Sequence, residues 1–422
     1  MSYKIETKCV QDGWKPQNGE PRVLPICQST TFKYDSGELL GDMFDLKTEG
    51  HFYTRLSNPT LEAVENKIAA LEVGVGAMIT SSGQAAIFYA IFNICSAGDH
   101  VISTANVYGG TFNLFGVTME KMGIEVTFID QDTSEENFKK AFKSNTKAVY
   151  GEVLANPALS VLDIEKFAKL AHEHSVPLII DNTFPTPINC RPIEWGADVV
   201  VHSTSKYMDG HATALGGVVV DSGNFDWAKS KKFSCLTEPD ESYHGIIYTE
   251  SFGNGAYIAK ARLQLMRDLG AQASPMNAFL LNMGLETLHL RMERHSENAL
   301  ALAKFFENHK NVEWVFYPGL KSNKYYNLAQ KYIPTGQSGV ISVGIKGGKE
   351  GALAFMKKLK LAALVVHVAD LRTSALHPAS TTHRQLSEQQ LKECNVPPEM
   401  VRISTGIEHI EDIIADFKQA LD

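Results

Sequence analysis

Residues 176–207 read VPLIIDNTFPTPINCRPIEWGADVVVHSTSKY, and the fold follows from how this stretch is punctuated. Its two apolar runs, at 177–181 and 198–202, are hydrophobic at successive positions rather than at alternate ones. A strand of that kind is buried on both faces, the condition of a parallel sheet covered by helices. Each run ends in polar residues. Asp181 closes the first, and His202-Ser203-Thr204-Ser205-Lys206-Tyr207 closes and follows the second.

Outward from there, β-type runs lie at 76–80, 101–104, 126–129, 148–154 and 215–220, with helical patterns such as 163–174 between several of them. Strands alternating with helices predict an α/β domain built on a large, mostly parallel sheet of seven strands. Its first helix starts at Asn58-Pro59-Thr60 and carries Leu61, Val64, Ile68 and Leu71 at helical spacing. A second region opens near Ser274. There, 276–307 reads as one long helical stretch, followed by β-type runs at 312–317, 339–345 and 401–405 and helices at 349–359 and 410–421. This predicts a smaller C-terminal α/β domain. The first 58 residues carry Pro16, Pro21 and Pro25 with little periodicity and read as an arm. An isolated arm buries too little surface to offset its ordering entropy, so a neighbouring subunit is its natural support. The expected division is an arm over 1–58, a ligand-binding domain over 59–273 and a C-terminal domain over 274–422.

The 422 residues carry a net charge of −8. That argues against nucleic acid, where a clustered basic face is expected. Cys9, Cys27, Cys95, Cys190, Cys235 and Cys394 show no zinc-ligand or Cys-x-x-Cys spacing, so no metal is expected and the thiols read as buried or indifferent in a reducing compartment. Residues 1–8 are polar, and no apolar run approaches the ~18–20 residues of a membrane helix. The expectation is a soluble, cytoplasmic protein, away from membranes, acting on a small molecule.

In open α/β sheets, ligands bind beyond the carboxyl ends of the strands. After 76–80 comes Ser81-Ser82-Gly83-Gln84, leading into a helix at 87–94. Small residues there either cap the helix or bring its first amides to an anion. Asp181, at the tip of an apolar strand, needs a partner: a helix cap, an ion pair or the protonated nitrogen of a heterocycle. Lys206 stands beside hydroxyls that suit a phosphate; it either binds that phosphate as a cation or forms an imine with an aldehyde. Tyr108 follows the strand at 101–104 and is placed either to stack on a planar ring or to sit as an amphipathic surface residue. One ligand accommodates these loops together. Pyridoxal phosphate needs an anion cradle, a carboxylate for its ring nitrogen and a lysine for its aldehyde.

These residues also resemble a known group. Tyr53-Thr54-Arg55-Leu56-Ser57-Asn58-Pro59-Thr60, Asn106-Val107-Tyr108-Gly109, Asp181-Asn182-Thr183, Gly216-Gly217, His377-Pro378-Ala379-Ser380 and the run from Val401 to Glu408 are similar to those of the cystathionine-γ-synthase-like, or Cys/Met-metabolism, enzymes of pyridoxal-phosphate fold type I. The resemblance runs from Tyr53 to the C-terminus. Within the group it is to the O-acetylhomoserine sulfhydrylases, through Gly110 after Tyr108, the added stretch after Lys206 that includes 239–245 and 267–270, and the loop from His377 to Leu386. Two departures stand out: Ser205 directly before the lysine where many relatives have threonine, and Val366-His367-Val368-Ala369-Asp370 where many have a Ser-Leu-Gly or Asn-Ile-Gly run.

The resemblance implies a role for each position. Lys206 carries the cofactor and moves the α-proton, and Asp181 pairs the ring nitrogen. Ser82, Gly83, Gln84, Ser203 and Ser205 hold the phosphate, with Tyr53 and Arg55 reaching it from a partner subunit. Asn156 contacts the ring hydroxyl, and Tyr108 stacks on the ring and acts at the leaving group. Arg402 binds the substrate carboxylate as a bidentate fork. His367 either touches the substrate or is a satisfied buried histidine. The implied assembly is a homotetramer of dimers with shared sites. The implied reaction is γ-replacement on O-acetyl-L-homoserine by sulfide or a thiol. A methionine or homocysteine γ-lyase is the alternative within the family, and a non-catalytic protein on the same fold is the alternative outside it.

Overall fold

In the computed structural model, which describes all residues but 1–2, 383, 385–390 and 392–395, seven strands build the first sheet. They are β1 (Gly76–Thr80), β2 (His100–Thr104), β3 (Glu125–Ile129), β4 (Thr146–Glu152), β5 (Leu178–Asp181), β6 (Val199–His202) and β7 (Gly217–Asp221). Their spatial order is β1-β7-β6-β5-β4-β2-β3. Only β7 runs antiparallel to its neighbours. The mostly parallel sheet expected from 176–207 is therefore present.

Successive residues of these strands do go to opposite faces. Val200 packs with Ile180 and Val220 in one core, while Val199, Val201 and Ile179 pack in the other. The first core is closed by helices Pro59–Glu72, Ile164–Glu173 and Pro275–Glu286, and the second by helix Gly83–Phe92. Each aliphatic side chain buried this way contributes roughly 1.5–3 kcal/mol, which is why a strand needs no polar face here.

Five further strands form the second sheet: β8 (Val312–Phe316), β9 (Val340–Ile345), β10 (Ala363–Leu364), β11 (Ser374–Leu376) and β12 (Met400–Ser404), in the order β10-β11-β12-β9-β8. It has its own core, which includes Phe306, Val343, Phe355 and Phe417.

Two expectations need correction, and two strands lie outside them. Residues 276–307 are two helices, Pro275–Glu286 and Leu288–Glu307, separated at Thr287 with φ −108° and ψ 6°. The buried Arg291 side chain spans the break, donating from Nε to Thr287 Oγ1 (3.2 Å) and from Nη2 to the Gly284 carbonyl (2.5 Å). Apolar periodicity continues through the break and so does not reveal it. Residues 1–58, expected to lack regular structure, contain two short helices, Ile5–Gln11 and Gly37–Phe44, the second capped by Ser36 Oγ accepting from Leu39 N. β10 and β11, two and three residues long, are too short to show a strand period. Among residues singled out in the sequence, His383, Gln385, Leu386 and Cys394 lie outside the described residues.

Candidate active site

Parallel pairing sets the carboxyl ends of neighbouring strands side by side. Glu152 of β4 lies in register with Asp181 of β5, and Asp181 with Val201 of β6. The loops that leave these ends converge on a cavity of about 600 Å³. All of the site residues expected from the sequence line it except Tyr53 and Arg55.

At one end of the cavity, helix Gly83–Phe92 begins. Ser82 Oγ accepts from Ala85 N at 3.1 Å, so Ser82 does cap this helix. The opening amides of a helix have no partner within it and carry its positive dipole end; here they belong to Gly83 and Gln84. A Cβ on Gly83 would stand 2.6 Å from Ser203 Cβ, so glycine is what lets the helix end approach the Ser203 loop. Gln84 Oε1 is buried with no partner among the described residues. Ser205 Oγ is already engaged, accepting from Gly216 N at 2.9 Å and donating to Gly216 O at 3.2 Å.

Asp181 is held from two sides. Its Oδ1 accepts from Thr183 N at 2.8 Å, and Tyr150 Oη donates to Oδ2 at 3.5 Å. Burial raises its pKa, opposed by Thr183 and by His202. Glu152, beside it, is raised well above the carboxylate range, by burial first and then by the charge of Asp181. Two carboxylates this close share a proton. Asp181 has more donors that favour the ionised form, so Glu152 is the member that keeps the proton.

Across the cavity, Lys206 is brought down to about 8, by burial and by the Arg402 charge, with Asp370 opposing. Its Nζ lies 3.4 Å from His367 Nδ1. Arg402 is buried on β12; desolvation brings it down to about 10, so it remains a cation at neutral pH. Its Nη1 donates to Asn156 Oδ1 (3.1 Å) and its Nη2 to Val366 O (3.3 Å). Tyr108 exposes its ring to the cavity while its amide donates to Glu152 Oε1 at 2.7 Å. A Cβ on Gly110 would stand 2.5 Å from both the Tyr108 ring and Gln84 Nε2, so this position has no room for a side chain unless Tyr108 moves.

The Cys/Met metabolism PLP-dependent enzyme family matches residues 6–422. The chain belongs to that family. It is 45% identical over 424 residues to the homocysteine synthase of Schizosaccharomyces pombe, covering 100% of this chain and 99% of the relative. To the O-acetyl-L-homoserine sulfhydrylase of Leptospira meyeri it is 44% identical over 430 residues, covering 100% and 97%. In structure it is similar to an O-acetylhomoserine (thiol)-lyase of Campylobacter jejuni that carries a pyridoxyl-lysine monophosphate residue. The TM-score is 0.96 at 36% identity, covering 99% of this chain and 100% of the other.

The enzyme is thus pyridoxal-phosphate-dependent, and its residues fit that group. The close Gly83 approach and the opening amides of Gly83 and Gln84 make an anion cradle, Asp181 offers a carboxylate to a ring nitrogen, and Lys206 is a half-buried amine with a lowered pKa. Tyr53 and Arg55 lie elsewhere: Arg55 Cζ sits 5.1 Å above the Tyr53 ring, in a segment held by Arg262 Nη1 donating to Leu56 O at 2.9 Å.

Several groups around the site were not singled out in the sequence. Glu152 falls inside the apolar run at 148–154 in the sequence but stands at the observed strand end. Beneath the strand ends, Glu72 Oε1 accepts from His202 Nε2 (2.7 Å) and Asn182 Nδ2 (2.8 Å), all three buried. Arg291 Nη1 donates to Tyr207 O at 2.6 Å and so holds the turn that carries Lys206. These partners are far apart in sequence, and only the strand-end position of His202 and Asn182 hinted at them.

Proposed function

We propose that this enzyme carries out γ-replacement on O-acetyl-L-homoserine, with sulfide or a thiol as the incoming group, giving L-homocysteine (or its thioether) and acetate. The observation that carries the reading is that Lys206, Asp181 and the buried Arg402 face one cavity. The names of the relatives supply the substrate.

Pyridoxal phosphate, when bound, supplies an aldehyde for an amine and a ring that accepts an electron pair. Gly83, Gln84 and Ser203 would hold its phosphate, with Ser82 shaping the helix end and Ser205 fixing the loop through Gly216. Asp181, ionised, would keep the ring nitrogen protonated, and the proton on Glu152 prevents a second negative charge from competing for it. Asn156 would hold the ring hydroxyl and at the same time orient Arg402. Arg402 would take the substrate carboxylate as a two-pronged donor. That aims Cα at Lys206, whose pKa of about 8 leaves a useful fraction as free amine near neutrality. Lys206 would remove the proton from Cα and then one from Cβ. Tyr108, with an exposed ring and a backbone fixed on Glu152, would stack on the cofactor and hand a proton to the departing acetate. His367 would stand beside the substrate. Sulfide would then add at Cγ, its proton passing to Tyr108 to replace the one given to acetate, and Lys206 would return the protons to Cβ and Cα.

We further read residues 1–58 as an arm that places Tyr53 and Arg55 in a partner's site, with 59–273 and 274–422 as the two domains. Exposed Val23 and Phe44 on the arm support that reading. A homotetramer in the cytoplasm follows as the expected form; no described helix is long and apolar enough to cross a membrane.

A product assay with O-acetyl-L-homoserine, with and without sulfide, tests the activity. Homocysteine and acetate formed only with sulfide are expected. Rapid 2-oxobutanoate from methionine or homocysteine, with little homocysteine from O-acetylhomoserine, would replace the reading with that of a γ-lyase.

A further inference from the structure

His367 enters the cavity from the 366–370 segment, and its two ring nitrogens face different groups. Nδ1 lies 3.4 Å from Lys206 Nζ. Nε2 is buried, has no hydrogen-bond partner among the described residues, and stands 3.9 Å from Asp370 Oδ2. Asp370 uses its other oxygen, Oδ1, to accept from Arg372 N at 2.7 Å, which leaves Oδ2 toward the imidazole. Between the two residues, Ala369 adopts φ +69°, and its amide donates to Ser404 Oγ at 2.7 Å. That fixed turn brings His367 and Asp370 together.

An imidazole with an amine at one nitrogen and a carboxylate at the other is arranged to take a proton and have the resulting charge stabilised. We infer that His367, backed by Asp370, is the proton-holding partner of Lys206. In the step, an Nζ–H bond of the lysine ammonium breaks and an Nδ1–H bond forms. The amine regains its lone pair, and the positive charge moves to the imidazole, with Nε2–H toward Asp370. No other reactant is needed.

The charged groups that face His367 set the direction of this exchange. Lys206 and Arg402 are the cations, and Asp370 and Asp209 the carboxylates. Burial, and then the Lys206 charge, keep the imidazole below its ordinary pKa while the lysine is protonated. The pair therefore holds one proton rather than two, with the lysine its ordinary seat and the imidazole a transient one. The use of that arrangement rests on the γ-replacement reading: protons leave Cα and Cβ in turn, and one amine has to be emptied between them. His367 gives the first proton a place to wait.

Loading of the cofactor-free protein with pyridoxal phosphate reports the Lys206 amine without any substrate, as growth of visible absorbance. Its rate should be followed between pH about 6 and about 10 in wild type, His367→Asn, His367→Ala and Asp370→Asn. The ionisations of pyridoxal phosphate are common to every arm and cancel in the ratio to wild type. Wild type is expected to show two protein ionisations. His367→Asn keeps a polar side chain but cannot hold a proton; it should lose the lower ionisation and load roughly tenfold more slowly near the low end, one pKa unit of free amine. Asp370→Asn should move the lower ionisation to lower pH. In the loaded enzyme, exchange of the α- and β-protons of 2-aminobutyrate in D2O gives a second readout, with the β-to-α ratio falling in His367→Asn. Superimposable loading profiles for wild type and His367→Asn, or rescue by asparagine of a defect seen in His367→Ala, would overturn the inference. The loading result stands whether or not homocysteine is made, and a failed loading result leaves the sulfhydrylase reading untouched.

Discussion

The cavity has two unlike walls. One is made by the ends of β4, β5 and β6, where each working side chain is tied to nearby backbone or to a buried partner: Asp181 to Thr183, Ser205 to Gly216, Glu152 to the Tyr108 amide, His202 and Asn182 to Glu72. The other is the 366–370 segment beside β12. Val366 is 68% exposed, Ala369 sits in the left-handed region, and the neighbouring strand β10 is two residues long. A β-carbon at positive φ costs roughly 1–2 kcal/mol, so the second wall is held against some strain by few bonds. The difference suggests a division of labour. The first wall fixes the cofactor and its electronics; the second wall, through Arg402 and His367, orients the substrate and handles its protons.

Breaking the first wall should be all-or-none. Lys206→Ala is expected to lower kcat by more than about a thousandfold, since no other described amine lines the cavity. Its thermal midpoint should not fall, because the change removes a half-buried cation whose pKa is already lowered by desolvation. Substantial turnover in this variant would remove Lys206 from the chemistry. On the second wall the effect should be graded. Arg402→Leu is expected to cost about a hundredfold in kcat/KM, carried mainly by KM, as loss of a desolvated charge contact does. If kcat falls alone, Arg402 serves the chemical step rather than substrate holding, and the division between the walls fails.

The support beneath the first wall can be tested apart from its chemistry. Arg291→Ala removes the donor for the carbonyls of Tyr207, Met208 and Gly284. Each buried carbonyl left unpaired costs about 1–3 kcal/mol, so a loss of about 3 kcal/mol or more is expected in a urea melt. Pyridoxal phosphate should also bind more weakly, because Tyr207 directly follows Lys206. Normal stability would mean that the turn is held by its own packing.

The same contrast explains what could be read from the sequence. The first wall was legible because its signals are local: an apolar run sets the strand, and the next residue in the chain is the functional one, as with Asp181 after 177–180 or Ser203 to Lys206 after 198–202. The resemblance added Arg402 and Asn156, which no local pattern carries, and the proposal that Tyr53 and Arg55 serve a partner's site. The break at Thr287 is bridged by Arg291 without interrupting the apolar periodicity, and the Glu72–His202 contact and the Arg291 clamp on Tyr207 depend on partners 130 and 84 residues apart, where periodicity says nothing. His367 was noticed only as a departure. Its contact with Lys206, 161 residues away, needed the second domain in place.

The smallest expected effect is also the sharpest test of how the first wall works. Glu152 is buried, Asp181 lies beside it at the next strand end, and Glu152 is the one that keeps the proton. Glutamine is close in shape to a protonated glutamate: it can accept from the Tyr108 amide with its oxygen and present a donor where the carboxyl proton was. Glu152→Gln should therefore keep kcat and cofactor absorbance within about threefold of wild type near neutrality. The sign of the stability change follows from linkage. A carboxyl raised on folding contributes stability in full below its unfolded pKa of about 4.3, and that contribution is lost as pH rises through the folded value. Glutamine has no proton to lose. The variant's thermal midpoint should thus gain on wild type as the pH is raised from about 4.3 through neutrality toward the folded value. A loss of a hundredfold or more in kcat at neutral pH would mean that Glu152 is ionised in the folded enzyme. The strand ends would then hold two negative charges toward the ring nitrogen, and Asp181 could not be assigned its role alone.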